Sequence, residues 1–111
     1  MQNPVETYKA LADETRYALV QLLLRHDYCV GSLSRKLGVT ESAVSQHLKV
    51  LREVGLVASD KRGYFTHYSV DRTLLESLGQ SLVAMSKTPR EEPQCSFIGQ
   101  PYHTCHQRRE E

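Results

Sequence analysis

Apolar residues recur at spacings of three and four over most of residues 4–54, which is the pattern of amphipathic helices. Four helices are predicted there: residues 4–12, a second helix from Asp13 to about His26, residues 32–37, and residues 41–54. Asp13 and Thr40 can cap the helices that follow them, and Gly38 and Gly55 can end the third and fourth. Residues 28–31 are predicted to be extended. Two helices joined by a short glycine turn indicate a helix-turn-helix.

The spacing of apolar residues changes to two after Gly55, which indicates strands. Strands are predicted over residues 57–59 and 64–70, with a turn over residues 60–63 and with Tyr64 on one face of the second strand. Asp71 can cap a last helix that runs to about Lys87. The predicted fold class is mainly α with a small β-hairpin wing (α+β), a winged helix-turn-helix over residues 1–87. Prolines and a glycine in residues 88–111 disfavour a further helix, so these residues are predicted to form a poorly ordered C-terminal arm that contains Cys and His.

The chain has 111 residues, which fits one domain whose small core would be helped by dimerisation. No apolar run reaches membrane-spanning length and no basic leader precedes an apolar one, so a cytoplasmic protein with no membrane partner is expected. The net charge is +1, yet residues 34–62 hold six basic residues against three acidic ones. A basic patch suits nucleic acid. No phosphate-binding glycine loop or zinc-hydrolase motif is present, so an enzyme is not expected. We also expect that the protein folds without a cofactor.

The fourth predicted helix carries two opposite faces. Val44, Leu48 and Leu51 fall on one stripe, at 100° per residue, and the opposite face holds small or hydrogen-bonding side chains: Ser42, Ser45, Gln46, Lys49 and Glu53. A helix that reads the DNA major groove needs this kind of face, because glutamine pairs bidentately with adenine and serine pairs with several bases. The alternative is an exposed helix face without a partner. The neighbouring basic residues favour DNA.

The remaining predicted DNA contacts flank this helix. They are Arg35, Lys36 and Thr40 before it, His47 at the edge of its stripe, and Lys61 and Arg62 on the wing. Lysine and arginine suit phosphates or the minor groove. His47 has two open interpretations, a phosphate contact or plain packing. The wing cations also have an alternative, a solvated hairpin tip.

The chain resembles the ArsR/SmtB family of bacterial metal- and stress-responsive repressors. The matching segments are Leu11-Ala12-Asp13-Glu14-Thr15-Arg16, Cys29-Val30, Val44-Ser45-Gln46-His47-Leu48, residues 51–57, and Gly63 with His67-Tyr68. The resemblance implies a homodimer in which the first and last helices pack across the two-fold axis, using Tyr8, Leu11, Leu75, Leu78 and Leu82. It also implies an inverted-repeat operator, the double-stranded DNA partner, with half-site centres about 10 bp or a multiple apart. Repression would be relieved by an effector.

Two departures from the family pattern concern the effector site. Arsenic sensors of the family often carry Cys-Val-Cys before the third helix, and here Gly31 follows Cys29-Val30. Zinc sensors use Asp and His two residues apart at the start of the last helix, and here that spacing gives Asp71 and Thr73. Neither familiar site is complete, so the effector is expected to bind elsewhere.

The arm supplies another ligand set, which comprises Cys95, His103, Cys105 and His106. Cys and His together suit Zn(II), and three thiolates from Cys29, Cys95 and Cys105 suit As(III) or Cd(II). A rival interpretation is a disulfide between Cys29 and an arm cysteine in a redox-sensing repressor. Cys29 could also be an inert core thiol, and the tail residues could lack a role. A winged helix that binds only proteins is the last alternative.

Overall fold

The computed structural model describes residues 3–92, which form five helices and a two-stranded hairpin. The elements are α1 (Pro4–Leu11), α2 (Glu14–Leu23), α3 (Val30–Leu37), α4 (Glu41–Glu53), β1 (Val57–Arg62), β2 (Phe65–Val70) and α5 (Arg72–Ser86). Cys95, His103, Cys105 and His106 lie outside the described residues. Within residues 3–92, no helix combines the length and the apolar character needed to cross a membrane.

Polar side chains begin most of the helices, as the sequence predicts. Asp13, Thr40 and Asp71 each accept a hydrogen bond at 3.0 Å from the backbone N–H three residues later. These bonds satisfy N–H groups that have no carbonyl partner in the first helical turn. α3 is different, because Cys29 occupies its N-cap position without a side-chain capping bond.

Two predicted helix ends are wrong by two or three residues. α2 ends at Leu23 rather than near His26, because the backbone tightens there and the N–H of Arg25 donates to the carbonyl of Leu22, three residues back. α3 begins at Val30 rather than at Ser32, since the carbonyl of Cys29 already accepts a helical bond from the N–H of Leu33. Gly31 therefore lies inside a helix.

The hairpin turn lies two residues further along the chain than predicted. β1 and β2 pair antiparallel from Val57 with Val70 to Arg62 with Phe65, so the loop is Gly63-Tyr64. Gly63 has φ 65° and Tyr64 has a negative φ, which is the type II′ pattern that matches the twist of paired strands. Tyr64 is consequently at the tip, 97% exposed, and the prediction that it lies in the second strand is wrong.

A single leucine-rich core holds α2, α3, α4 and the start of β1 together. Its most buried members are Leu19, Leu33, Val44, Leu48, Leu51 and Leu56, each at most 1% exposed. The start of α5 is tied to this core, because the N–H of Asp71 donates to the carbonyl of Leu56 at 2.8 Å. Three residues of this core belong to α4, so the core fixes which face of α4 points outward.

Candidate nucleic-acid interface

α4 presents the polar face that the sequence predicts. Val44, Leu48 and Leu51 are buried, and Ser42, Ser45, Gln46, Lys49 and Glu53 are exposed. The buried stripe anchors the helix, while the opposite face carries hydroxyl, amide and ammonium groups into solvent. α4 can therefore bring hydrogen-bonding groups to a flat or grooved partner without disturbing the core.

The turn before α4 is fixed by two local features. Gly38 ends α3 in the left-handed conformation at φ 67°, which a residue with a Cβ adopts only with strain. The hydroxyl of Ser34 then donates to the carbonyl of Val39, across the turn. These features set the angle between α3 and α4, and the predicted helix-turn-helix is confirmed.

The basic residues at the end of α3 are exposed but engaged locally. The guanidinium of Arg35 donates to the hydroxyl of Ser32 at 3.5 Å, and the ammonium of Lys36 lies 5.4 Å from the centre of the Tyr28 ring. Thr40 uses its hydroxyl to accept from the N–H of Ala43. All three side chains therefore begin from defined positions next to the N-terminus of α4, whose free N–H groups also attract anions.

His47 points toward α2 rather than fully outward. Its side chain is 25% exposed, and its Nδ1 lies 3.2 Å from Nη1 of Arg16 and 3.9 Å from a carboxylate oxygen of Asp13. The N–H of Arg16 holds the pKa of Asp13 below its usual value by donating to the carboxylate, with its guanidinium charge acting in the same direction. Sequence reasoning missed Arg16 as a partner of His47, because 31 positions separate them.

The two wing cations have different surroundings. Lys61 is exposed and makes no ion pair within residues 3–92. Arg62 makes two ion pairs at 2.9 Å, one with Asp60 on its own strand and one with Asp27 after α2. Hydrogen bonds to these carboxylates raise the pKa of Arg62. Asp27 thus joins the wing to the helical part of the protein, a contact over 35 positions that sequence reasoning missed.

Cys29 borders a groove between the start of α3 and the wing. The groove has a volume of about 600 Å³, and Arg35, Glu41, Tyr64, Phe65 and Tyr68 are among the residues that line it. Hydrogen bonding from the Ser32 hydroxyl, 3.5 Å away, lowers the pKa of the Cys29 thiol, and the Ser32 N–H adds to this effect. The thiol is half-buried, so it is neither sealed in the core nor fully exposed.

Gly31, the position of the second cysteine in the Cys-Val-Cys pattern that the resemblance suggests, has room for a side chain. A Cβ on Gly31 would meet Nη1 of Arg35 and Oε2 of Glu41 at 3.6 Å, which is ordinary van der Waals contact. Within residues 3–92, no three His, Cys, Asp or Glu residues cluster closely enough to hold a metal ion. Asp71, the remaining member of the zinc pattern, uses its carboxylate to cap α5.

The five predicted dimer residues fall into two groups. Tyr8 and Leu78 are used inside the subunit, since the Tyr8 hydroxyl donates to the carbonyl of Leu78 at 3.3 Å and Leu78 is only 5% exposed. Leu11 and Leu75 are half-buried against the core, and Leu82 is 51% exposed. Two further apolar side chains on α5 are exposed, Val83 and Met85. The outer half of α5 therefore carries an uncovered apolar surface.

Comparison with known proteins agrees with this architecture. Residues 13–59 match the profile of the bacterial regulatory proteins of the arsR family, which covers α2 to the first part of β1. The chain is 42% identical over 81 residues to the HTH-type transcriptional regulator Rv2034 of Mycobacterium tuberculosis, across 73% of this chain and 76% of that protein. It is 41% identical over 66 residues to the arsenical resistance operon repressor of Escherichia coli, across 59% of this chain and 56% of that protein.

A solved structure extends the match to the fold. The ArsR-like transcriptional regulator from Rhodococcus sp. RHA1 superimposes with a TM-score of 0.69 at 31% sequence identity, across 75% of this chain and 78% of that one. The helices, the wing and the motif residues thus agree with one family. This chain belongs to the arsR family of bacterial transcriptional regulators, the ArsR/SmtB family that its motifs indicated.

Proposed function

We propose that this chain is a homodimeric repressor that inserts α4 into the major groove of an inverted-repeat operator and leaves the DNA when a thiophilic metal or metalloid ion binds. The observation that carries the DNA part is the division of α4 into a fully buried apolar stripe and an exposed face of Ser42, Ser45, Gln46 and Lys49. Such a face has donors and acceptors for base edges and no bulky apolar side chain to obstruct docking.

The proposed contacts divide into base readout and phosphate binding. Gln46 pairs with adenine, and Ser42 and Ser45 contact neighbouring bases. Arg35, Lys36, Lys49 and Lys61 bind phosphates, the N–H groups that follow Thr40 add another phosphate contact, and His47 contributes at the edge of the face. Arg62 can bind a phosphate only if it first releases Asp27 or Asp60, because both carboxylates pair with its guanidinium in the free protein.

The proposed dimer uses the outer half of α5 with part of α1. Leu82, Val83 and Met85 offer exposed apolar side chains that a second subunit would cover, and Leu11 and Leu75, which are half-buried against the core, are proposed to join them. Tyr8 and Leu78 support this surface from within. Two-fold symmetry presents two copies of α4 to successive turns of the groove, which accounts for an inverted repeat.

Fluorescence anisotropy on the promoter region of the chain's own gene tests the DNA part. We expect specific binding whose affinity falls steeply with salt, because each phosphate contact releases counterions. An unrelated duplex of equal length serves as the control. Equal affinity for both duplexes, or no binding at low salt, would contradict the proposal and leave the protein-interaction winged helix as the better interpretation.

The effector part is carried by Cys29. Its pKa is lowered, so the thiol yields more of the thiolate, the form that binds metals. One thiolate is insufficient, and we propose that Cys95 and Cys105 supply the other two for As(III) or Cd(II). His103 and His106 could act as further ligands, which would allow the arm to bind Zn(II).

Substitution of the cysteines tests whether they bind the effector. We expect As(III) to release wild-type protein from the operator, and we expect Cys29→Ser and the Cys95→Ser/Cys105→Ser pair to retain DNA binding while losing this release. Gly31→Cys provides a gain-of-function control, since its Cβ fits without a clash and restores Cys-Val-Cys. If As(III) releases the Cys95→Ser/Cys105→Ser protein from the operator at the same concentration as wild type, Cys95 and Cys105 are excluded as ligands.

The second candidate function is thiol–disulfide sensing, which the lowered pKa of Cys29 also favours. Cys29 and one arm cysteine would each give up one proton and one electron to a hydroperoxide and form a disulfide. The same anisotropy assay with hydrogen peroxide, followed by a thiol reductant, separates the two functions. Reversible release by peroxide together with no release by As(III), Cd(II) or Zn(II) would favour the redox sensor.

A further inference from the structure

Arg16 lies where three helices meet. It belongs to α2, its Nε donates to the carbonyl of Ala10 at the end of α1, and its Nη1 lies 3.2 Å from Nδ1 of His47 on α4. Asp13 fixes the backbone at this point, because its carboxylate accepts the N–H of Arg16. One side chain thus links the helix that carries the proposed readout face to two helices of the scaffold.

The contact between Arg16 and His47 dictates the hydrogen position on the imidazole. A guanidinium has only donors and keeps its charge in proteins, so Nδ1 of His47 must be the acceptor. An accepting Nδ1 carries no hydrogen, and the neutral ring therefore holds its hydrogen on Nε2. Arg16 selects this tautomer and fixes the direction of the ring.

Nε2 of His47 is left as an outward donor. Within residues 3–92, the one buried side-chain nitrogen or oxygen that lacks a partner is Nδ1 of His67. Nε2 of His47 makes no hydrogen bond in that range, so it must reach solvent, in agreement with the 25% exposure of the side chain. His47 follows Gln46 in α4 and lies at the edge of the exposed face, where its side chain is only partly buried.

We infer that Arg16 is a positioning residue for DNA binding, which holds His47 as the Nε2–H tautomer so that this N–H donates to an operator phosphate. The inference rests on the proposed function, because it assumes that α4 faces DNA. It makes Arg16 important for affinity without any contact between Arg16 and DNA. A phosphate contact carries no sequence information, so its loss weakens all operator variants equally.

Nitrogen NMR of the free wild-type protein tests the first half without DNA. We expect His47 to show the Nε2–H tautomer at neutral pH and to lose this single state in Arg16→Lys, because one ammonium nitrogen cannot replace the two separate donors that reach Ala10 and His47. Arg25→Lys, the same change at an exposed residue after α2, is the matched control. A wild-type His47 with its hydrogen on Nδ1 would overturn the inference.

Operator binding tests the second half. We expect Arg16→Lys to bind about tenfold more weakly than wild type and Arg25→Lys to bind equally. If Arg16→Lys unfolds, two variants of His47 provide the test instead. The amide N–H of glutamine lies near the position of Nε2, whereas the amide of asparagine lies near the position of Nδ1. We expect His47→Gln to bind more tightly than His47→Asn by several-fold. Equal affinities within either pair would overturn the inference, while absence of operator binding by wild type would overturn the proposed function instead.

Discussion

α4 and α5 use their outer faces in opposite ways. α4 buries Val44, Leu48 and Leu51 and exposes a polar face, so it is complete within one subunit. α5 is two residues longer, but Leu78 is its one buried residue, and Leu82, with 51% of its surface exposed, lies a turn further along. A polar outer face suits a hydrated, charged partner, whereas an apolar one suits a second protein surface. The same subunit thus indicates two different kinds of partner.

The largest expected effect comes from placing a charge on the outer face of α5. We expect Leu82→Glu to convert the dimer into monomers, because an unpaired carboxylate would be buried at the interface. Operator affinity should then fall by about 10²-fold or more, since each subunit loses the benefit of a linked second half-site. Sedimentation and anisotropy measure both effects.

Gln80→Glu is the matched control for Leu82→Glu. Gln80 is exposed and lies two helical positions from both Leu78 and Leu82, on the other side of α5. We expect this variant to remain dimeric and to bind DNA as wild type does. A dimeric Leu82→Glu protein would show that the outer half of α5 does not hold the subunits together.

The next effect concerns the polar face of α4. We expect Gln46→Ala to stay dimeric and to weaken operator binding by about 1–3 kcal/mol per half-site, with relaxed preference at one base pair. Gln80→Ala makes the same change on α5 and should leave affinity unchanged. Anisotropy with single-base operator variants measures the preference. A uniform loss across all variants would instead assign Gln46 to a phosphate.

A smaller effect is expected at the cap of α4. Thr40→Ala removes the acceptor of the Ala43 N–H and should lower the free energy of unfolding by about 1 kcal/mol, whereas Thr40→Ser keeps the hydroxyl and should restore most of it. Urea denaturation compares the two proteins. Equal stability of Thr40→Ala and wild type would mean that the core alone holds the start of α4.

The sequence predicts α4 better than its surroundings because every feature of α4 is local. Its cap at Thr40, its apolar stripe and the glycine after it lie within sixteen positions, and they all agree. The first residue of α3 is harder to predict from the sequence, because cysteine is not a usual capping residue and Cys29 forms no capping bond. The predicted position of the wing turn is wrong because Asp-Lys-Arg-Gly resembles a turn in sequence, whereas strand pairing extends β1 to Arg62.

Contacts between distant residues could not be predicted from one sequence. The pairing of Arg16 with His47 and that of Asp27 with Arg62 join positions 31 and 35 apart, and nothing near either residue indicates its partner. The exposed state of Leu82 likewise depends on where α5 leaves the core. The helical stripe includes Leu78 and Leu82 alike, and the fold alone separates the buried residue from the exposed one.

The smallest expected effect concerns how the scaffold beneath α4 responds to acid. The N–H of Arg16 lowers the folded-state pKa of Asp13 below that of the unfolded chain, so its contribution to stability is present above about pH 4 and is lost as pH falls through the lower folded value. Asp13→Asn still caps α2 but does not titrate. We therefore expect the urea midpoint of wild type to exceed that of Asp13→Asn most near pH 6 and the difference to shrink below pH 4. Glu14→Gln is the control, because it neutralises the next residue, whose side chain makes no hydrogen bond within residues 3–92. If the stabilities of wild type and Asp13→Asn changed in parallel with pH, Asp13 would not contribute to the acid response.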